Sequence, residues 1–322
     1  MALRAKSKPE LAAPNVGPFA RQPCHYRSIM FKKILVPLDG SQLSQRALEP
    51  ALALGKYTGA ELLLVRTPVV DTLSFAATES KHTEARDDAL VYLETVRKSN
   101  EQPELHIQTR LIEGDVAGAI VDTALSEQAD LIVMSTHGYS GLTRWVLGSV
   151  TEKVLRSAPC PMLAVRAARH PQEVLITLDG SALSDSAIEP GIAVAQSLNA
   201  AMTMLRVVPR VSINGKLDEH ERGLSRRMQE DLIQEAQDYL HARSASYVPA
   251  ARSVAIKSEV RIGSPAEVIL EYVETYGTDL IVMATHGRTG LKRWVYGSVT
   301  AKVLRSVNCS MLVIRPTDAE LN

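Results

Sequence analysis

The chain is one unit written twice, and that repetition limits its fold more than any other feature. Lys32 to Leu54 reads KKILVPLDGSQLSQRALEPALAL, and Gln172 to Val194 reads QEVLITLDGSALSDSAIEPGIAV, a shift of about 140 residues. A second pair is MSTHGYSGLTRWVLGSVTEKVLRS, from Met134 to Ser157, and MATHGRTGLKRWVYGSVTAKVLRS, from Met283 to Ser306. Its shift is about 149, so the second unit has gained residues in its middle. Units of this length are whole domains rather than solenoid repeats. A chain of 322 residues accommodates two of them. The expected domains are 31–168 and 171–317, joined by a short linker around Ala167–Pro171.

Each unit alternates between strand-like and helix-like patterns. In the first, KKILVPL is an aliphatic run ending at Asp39-Gly40-Ser41, followed by a helical pattern from about Ser44 to Tyr57. ELLLVRT reads as a second strand, Glu79–Ser99 as a long helix, and HIQTRLIEG as a third strand. AGAIVDTALSEQ is helical, DLIVMST is a buried fourth strand, VTEKVLRS is helical and PMLAVRA is a fifth strand. Near-continuous apolar strands separated by helices demand a parallel sheet covered on both faces. The fold class is therefore α/β, with two tandem, doubly wound, five-stranded parallel sheets of Rossmann-like type.

Composition narrows the function. Thirty-six basic and 36 acidic residues balance, which disfavours a sequence-independent grip on nucleic acid or an anionic membrane surface. No apolar run approaches the ~20 residues of a membrane-spanning helix. Cys24, Cys160 and Cys309 form no CxxC pair, and Cys160 and Cys309 precede apolar runs as small core residues do. A reducing, cytoplasmic setting fits them. The first 30 residues, rich in Pro, Ala and basic side chains, lack the apolar segment of a secretory signal and read as a disordered tail. Met30 then stands as a candidate natural start.

In doubly wound sheets the ligand binds beyond the carboxyl ends of the strands, where strand order reverses. Asp39-Gly40-Ser41 and its copy Asp179-Gly180-Ser181 follow the first strand of each unit. Turn chemistry accounts for Gly and Ser. A carboxylate recurring at one strand end also suits ribose hydroxyls or an adenine amino group, and both readings stand at this point. After the fourth strand come His137-Gly138, nine residues, and Gly148-Ser149-Val150-Thr151 opening a helix. The copy is His286-Gly287, nine residues, and Gly297-Ser298-Val299-Thr300. Glycine permits close approach of backbone N–H groups to an anion, and a helix N-terminus adds unpaired donors and a positive dipole end. The hydroxyls of Ser149 and Thr151 suit phosphate oxygens or a phosphate-bound magnesium ion. A plain helix cap is the bland alternative. No Walker loop and no Gly-x-Gly-x-x-Gly after the first strand is present.

ILVPLDGS, THGxxGLxRW and GSVTxKVLR resemble the universal stress protein family in its tandem form, over about Phe31 to Pro316. The resemblance implies the adenine nucleotide alpha hydrolase-like fold and ATP as ligand, with Gly138, Gly148 and Ser149, or Gly287, Gly297 and Ser298, at the phosphates. It assigns Asp39 and Asp179 to the adenosine side, with Pro37 beside them. Thr67 and Val207 take the position whose backbone meets adenine, and Val150, Thr151, Val299 and Thr300 continue the phosphate loop. Ser135 and Ala284 replace the family's first glycine, a substitution that would be strained if the backbone there needed φ > 0. The resemblance further implies that MLAVR and MLVIR meet along their edges as an intrachain pseudo-dimer, and a homodimer of the whole chain is compatible with it. The expected function is nucleotide-dependent regulation of protein contacts under stress, the protein partner being undefined. Rival readings are a scaffold without nucleotide and a slow ATPase, for which no general base stands out.

Other residues carry weaker signals. His137 and His286 lack companions at metal-ligand spacing. Arg144-Trp145 and Arg293-Trp294 read as packing anchors with solvated or phosphate-facing arginines. Arg66 and Arg206 close the second strands and are even candidates for the cleft wall. The charged stretch Asp218–Ala242 reads as a solvated helix face.

Overall fold

The computed structural model describes residues 31–68, 79–136, 147–166, 170–211, 219–251, 254–285 and 297–315. In the first half β1 (Lys33–Pro37) leads through a 3-10 turn (Ser44–Ala47) into α1 (Leu48–Thr58), and β2 (Glu61–Arg66) follows. Then come α2 (Glu79–Ser99), β3 (His106–Leu111), α3 (Val116–Ser126), β4 (Leu131–Ser135), α4 (Ser149–Ser157) and β5 (Met162–Val165). The second half repeats this as β6 (Glu173–Leu178), a single turn α5 (Ala182–Asp185), α6 (Ile188–Ser197) and β7 (Ala201–Val208). It continues with α7 (Glu219–Ala251), β8 (Ile256–Ile262), α8 (Pro265–Tyr276), β9 (Leu280–Ala284), α9 (Ser298–Ser306) and β10 (Ser310–Ile314). The α7 helix runs past the charged stretch read from sequence and ends at Ala251.

The described strands form one continuous sheet in the order β3-β2-β1-β4-β5-β10-β9-β6-β7-β8. Within each half every pairing is parallel, as the apolar strand pattern requires. The order reverses at β1/β4 in the first half and at β6/β9 in the second. The halves join where β5 meets β10 antiparallel, with Leu163 opposite Leu312. An edge strand buried on both faces cannot leave its amides unpaired, and each half closes the other's edge.

Strand alternation sends successive side chains to opposite faces, and two apolar layers result. Ile34, Val36, Leu62 and Leu64 join Ile176, Met204 and Leu312 in one cluster, on the side of α1, α2 and α6. Leu35, Leu63, Val65, Ile132 and Met134 join Leu175, Leu205, Val303 and Met311 in the other, on the side of α3, α4, α8 and α9. Both layers run unbroken across the seam. Cys160 and Cys309 are buried in the second layer. Burial pushes the Cys160 thiol up to about 12, so it stays protonated. No helix among the described residues is long and apolar enough to cross a membrane.

Two arginines cross the seam reciprocally. Arg166, just after β5, donates to the carbonyls of Leu304 (2.7 Å) and Val307 at the end of α9. Arg315, just after β10, donates to Leu155 (2.6 Å) and Arg156 (2.5 Å) at the end of α4. Each thus satisfies the orphan carbonyls of the other half's helix and opposes the negative end of its dipole. Desolvation holds the Arg166 proton affinity below the ordinary value, without approaching neutrality.

His170 joins the halves at a third point. Its Nδ1 lies 3.0 Å from Glu49 Oε1 on α1, and its Nε2 lies 2.6 Å from the Leu198 carbonyl after α6. Both partners are acceptors, so both ring nitrogens must carry protons. The Leu198 carbonyl, then the Glu49 carboxylate, raise its pKa above the ordinary 6.5. A raised folded-state pKa gives stability that is complete below the unfolded value and is lost as pH rises through the folded one. Thermal melts from pH 6 to pH 9 should show wild type losing a seam contribution that His170→Gln never has. Parallel pH profiles for the two proteins would refute the assignment.

Candidate functional site

Hydrogen bonds local to the sequence build the turn after β1. Ser41 N–H donates to Asp39 Oδ1 (2.8 Å), Ser44 N–H to Ser41 Oγ (3.0 Å), and Asp39 N–H to Ser44 Oγ (3.3 Å). The second half repeats all three: Ser181 to Asp179 at 2.9 Å, Ser184 to Ser181 at 3.1 Å, and Asp179 to Ser184 at 3.3 Å. One oxygen of each carboxylate therefore holds the turn, as turn chemistry alone would have it. Gly40 and Gly180 adopt φ of 90° and 84°, which excludes a side chain there without strain.

Behind these turns stands a stack that sequence reading missed. The Arg66 guanidinium lies 4.6 Å from the Tyr92 ring centroid, and a Cβ on Gly40 would fall 2.8 Å from its Nη2. Arg206 lies 4.9 Å from the Tyr239 ring centroid, and a Cβ on Gly180 would fall 3.0 Å from its guanidinium. Gln45 Nε2 donates to the Tyr92 hydroxyl at 3.1 Å, while the Tyr239 hydroxyl donates to Asp185, the residue equivalent to Gln45. Arg206 is paired with Glu235 at 3.0 Å and Asp185 with Arg243 at 2.6 Å. Leu62 and Leu64 share a face with Arg66, so the arginines brace the turns from the α2 and α7 side. A tyrosine in each long helix, Tyr92 in α2 and Tyr239 in α7, was the available signal.

Register brings the remaining residues together. Pro37 pairs with Val65, and Leu35 with Ile132. These are the last pairs of their ladders, and Thr67, Asp39 and Thr136 form the row of residues just beyond the carboxyl ends of the adjacent strands β2, β1 and β4. Leu178 pairs with Arg206 and Ile176 with Val282, again the last pairs of their ladders, so Val207, Asp179 and Thr285 follow at the carboxyl ends of β7, β6 and β9. Alternation turns Thr67, Asp39 and Thr136 toward the second layer, where Val150 packs, and Val207 and Val299 pack there too. Pro37 has the same parity, with Thr177 in its place in the second half.

Helix α4 starts against this row. Gly148 N–H donates to the Thr136 carbonyl at 2.9 Å, and a Cβ on Gly148 would lie 2.8 Å from that oxygen. Gly297 N–H donates to Thr285 at 2.7 Å. Gly148 has φ −57° and Gly297 φ −54°, so neither needs a left-handed backbone, and at 148 it is closeness that demands the glycine. Glu152 N–H to Gly148 and Ala301 N–H to Gly297 are the first bonds of their helices. The N–H groups of Ser149, Val150 and Thr151, and of Ser298, Val299 and Thr300, stand ahead of that ladder. The Thr151 hydroxyl donates to the Ser135 carbonyl (3.2 Å) and that of Thr300 to Ala284 (2.9 Å), so these protons clasp the strand tips. Ser149 and Ser298 are exposed.

Ser135 and Ala284 are ordinary strand-end residues. Neither has positive φ, and alternation turns their side chains to the face of Val133 and Val282. A glycine is not needed at that point. Gly138, Gly287, His137, His286 and the Arg-Trp pairs at 144–145 and 293–294 lie outside the described residues, as does the tail before residue 31. No three His, Cys, Asp or Glu side chains group as a metal site among the described residues.

The family model of the universal stress protein family matches the chain twice, over residues 30–166 and 171–315. A universal stress protein of Methanocaldococcus jannaschii is 36% identical over 143 residues, 42% of this chain and 83% of that protein. The universal stress protein E homolog of Haemophilus influenzae is 24% identical over 315 residues, covering 89% of this chain and 98% of its own. A solved Pseudomonas aeruginosa protein described as functionally unknown aligns with a TM-score of 0.66 at 20% identity, over 90% of this chain and 94% of its own. A universal stress protein from Archaeoglobus fulgidus aligns at 0.62 and 20% identity, over 88% and 98%. At such identity these structures speak for the fold. A doubled family match, full-length likeness to a relative and one sheet built from two equivalent halves make this chain a member of the universal stress protein family in its tandem form.

Proposed function

We propose that each half binds an adenine nucleotide, ATP as in the family's nucleotide-binding branch, and that binding regulates contacts with other proteins during stress. The tie between Gly148 N–H and the Thr136 carbonyl carries this reading, because it sets a helix N-terminus against the Thr67–Asp39–Thr136 row. Phosphates are held by the N–H groups of Ser149, Val150 and Thr151, and in the second half by those of Ser298, Val299 and Thr300. Gly138 and Gly287 extend the phosphate loops, and Pro37 lines the first cleft. The second oxygens of Asp39 and Asp179 accept from the ribose or adenine. Magnesium, if the nucleotide carries it, comes on the phosphates. The binding units are 31–168 and 171–317, and the whole chain pairs as a homodimer.

Isothermal titration of the full chain with ATP tests this. Heat with a stoichiometry approaching two is expected. Asp39→Ala and Asp179→Ala should each silence one site, and the double variant both. No heat at millimolar ATP would remove the nucleotide and leave the scaffold reading, in which the carboxylates serve only their turns.

A further inference from the structure

The two clefts differ at a buried hydroxyl. Thr67 Oγ1 is shielded from solvent and has no hydrogen-bond partner among the described residues. A hydroxyl in that state is unfavourable, and native structures rarely keep one without a reason. It stands just beyond β2, beside the strand that leads into Asp39, and on the same face of the sheet. In the second half the equivalent residue is Val207, which presents only methyl groups and packs against the second layer. That half carries Thr177 where the first has Pro37, so its own hydroxyl stands one strand away. The clefts thus offer the same carboxylate and the same helix start but different polar positions beside them.

We propose that Thr67 is a specificity-determining residue of the first cleft, its hydroxyl bonding a ring nitrogen or the exocyclic amine of a bound purine. The inference rests on the nucleotide reading above and extends it, since it makes the two sites unequal in how they recognise the base. Ligand binding supplies the partner that the described residues do not. Valine at 67 has nearly the same shape without the hydroxyl, so it removes the bond and also relieves the buried orphan in the free protein.

The test uses the full chain carrying Asp179→Ala, so that only the first cleft titrates. ATP affinity is measured calorimetrically with Thr67, Thr67→Val and Thr67→Ser. The valine protein should bind on the order of tenfold more weakly and the serine protein within about twofold of the parent. The thermal midpoint of the valine protein should not fall, which separates ligand recognition from a folding role. Equal affinities for threonine and valine overturn this inference while leaving nucleotide binding intact. No ATP binding by the Thr67 protein overturns the nucleotide reading and this inference with it.

Discussion

Replacing Arg166 and Arg315 together with methionine is expected to weaken the docking of the two halves more than any other pair of surface-reaching changes. Each guanidinium bonds two carbonyls at the end of a helix belonging to the other half. Methionine preserves length and apolar bulk but offers no donor, so those carbonyls return to the orphan state of any helix C-terminus. The cost should be about 1–3 kcal/mol for each site. For a chain of 322 residues unfolding as one unit that is a fall of roughly 1.5 °C in thermal midpoint per kcal/mol. Lysine retains charge without the planar fork and should rescue only part of the loss. The two sites share no partner, so the double variant should show nearly the sum of the single effects. Unfolding curves indistinguishable from wild type would show that the arginines decorate the seam rather than hold it.

Substituting Gly148 and Gly297 with alanine should abolish most nucleotide binding while leaving the fold. The added Cβ at 148 would sit 2.8 Å from a backbone oxygen, which cannot swing aside as a side chain tip would. The strand–helix tie must lengthen, and the first-turn N–H groups move off the Thr67–Asp39–Thr136 row. Hydrogen bonds to a charged group contribute ~1.5–3 kcal/mol, so misaiming one or two predicts a loss on the order of a hundredfold in ATP affinity. The readout is calorimetric affinity beside a thermal melt. Wild-type affinity in the double alanine protein would sink the proposed phosphate role of these helix starts. A large loss of stability would instead reassign the glycines to packing alone.

Much of the fold was legible in the residues because it rests on local and repeating patterns. The duplicated KKILVPLDGS and QEVLITLDGS runs announce two equivalent sheets, and their unbroken apolar character requires parallel strands. Asp39-Gly40-Ser41 is legible as a turn for the same reason: its partners lie within five residues. The concern over Ser135 and Ala284 could not be answered at that level. A letter in place of glycine does not say whether the backbone there has φ > 0, and here it does not. Arg66 and Arg206 were even candidates for the cleft wall until strand alternation and the Tyr92 and Tyr239 rings put them behind the turns.

Sequence by itself determined the doubling, the doubly wound class and the residues at each strand end, since these follow from periodicity and from short-range hydrogen bonding. The resemblance already implied that β5 and β10 meet at their edges, but tertiary structure alone decided three things. It fixed that join as antiparallel with Leu163 opposite Leu312, and it sent Arg166 and Arg315 across it. It also gathered Thr67, Asp39 and Thr136 at the carboxyl ends of three neighbouring strands far apart in the chain. The physical reason is common to all three: they depend on pairing edges and on register, which are selected by burial on both faces of the sheet. A run of letters records which residues are apolar, but not which distant edge will cover them.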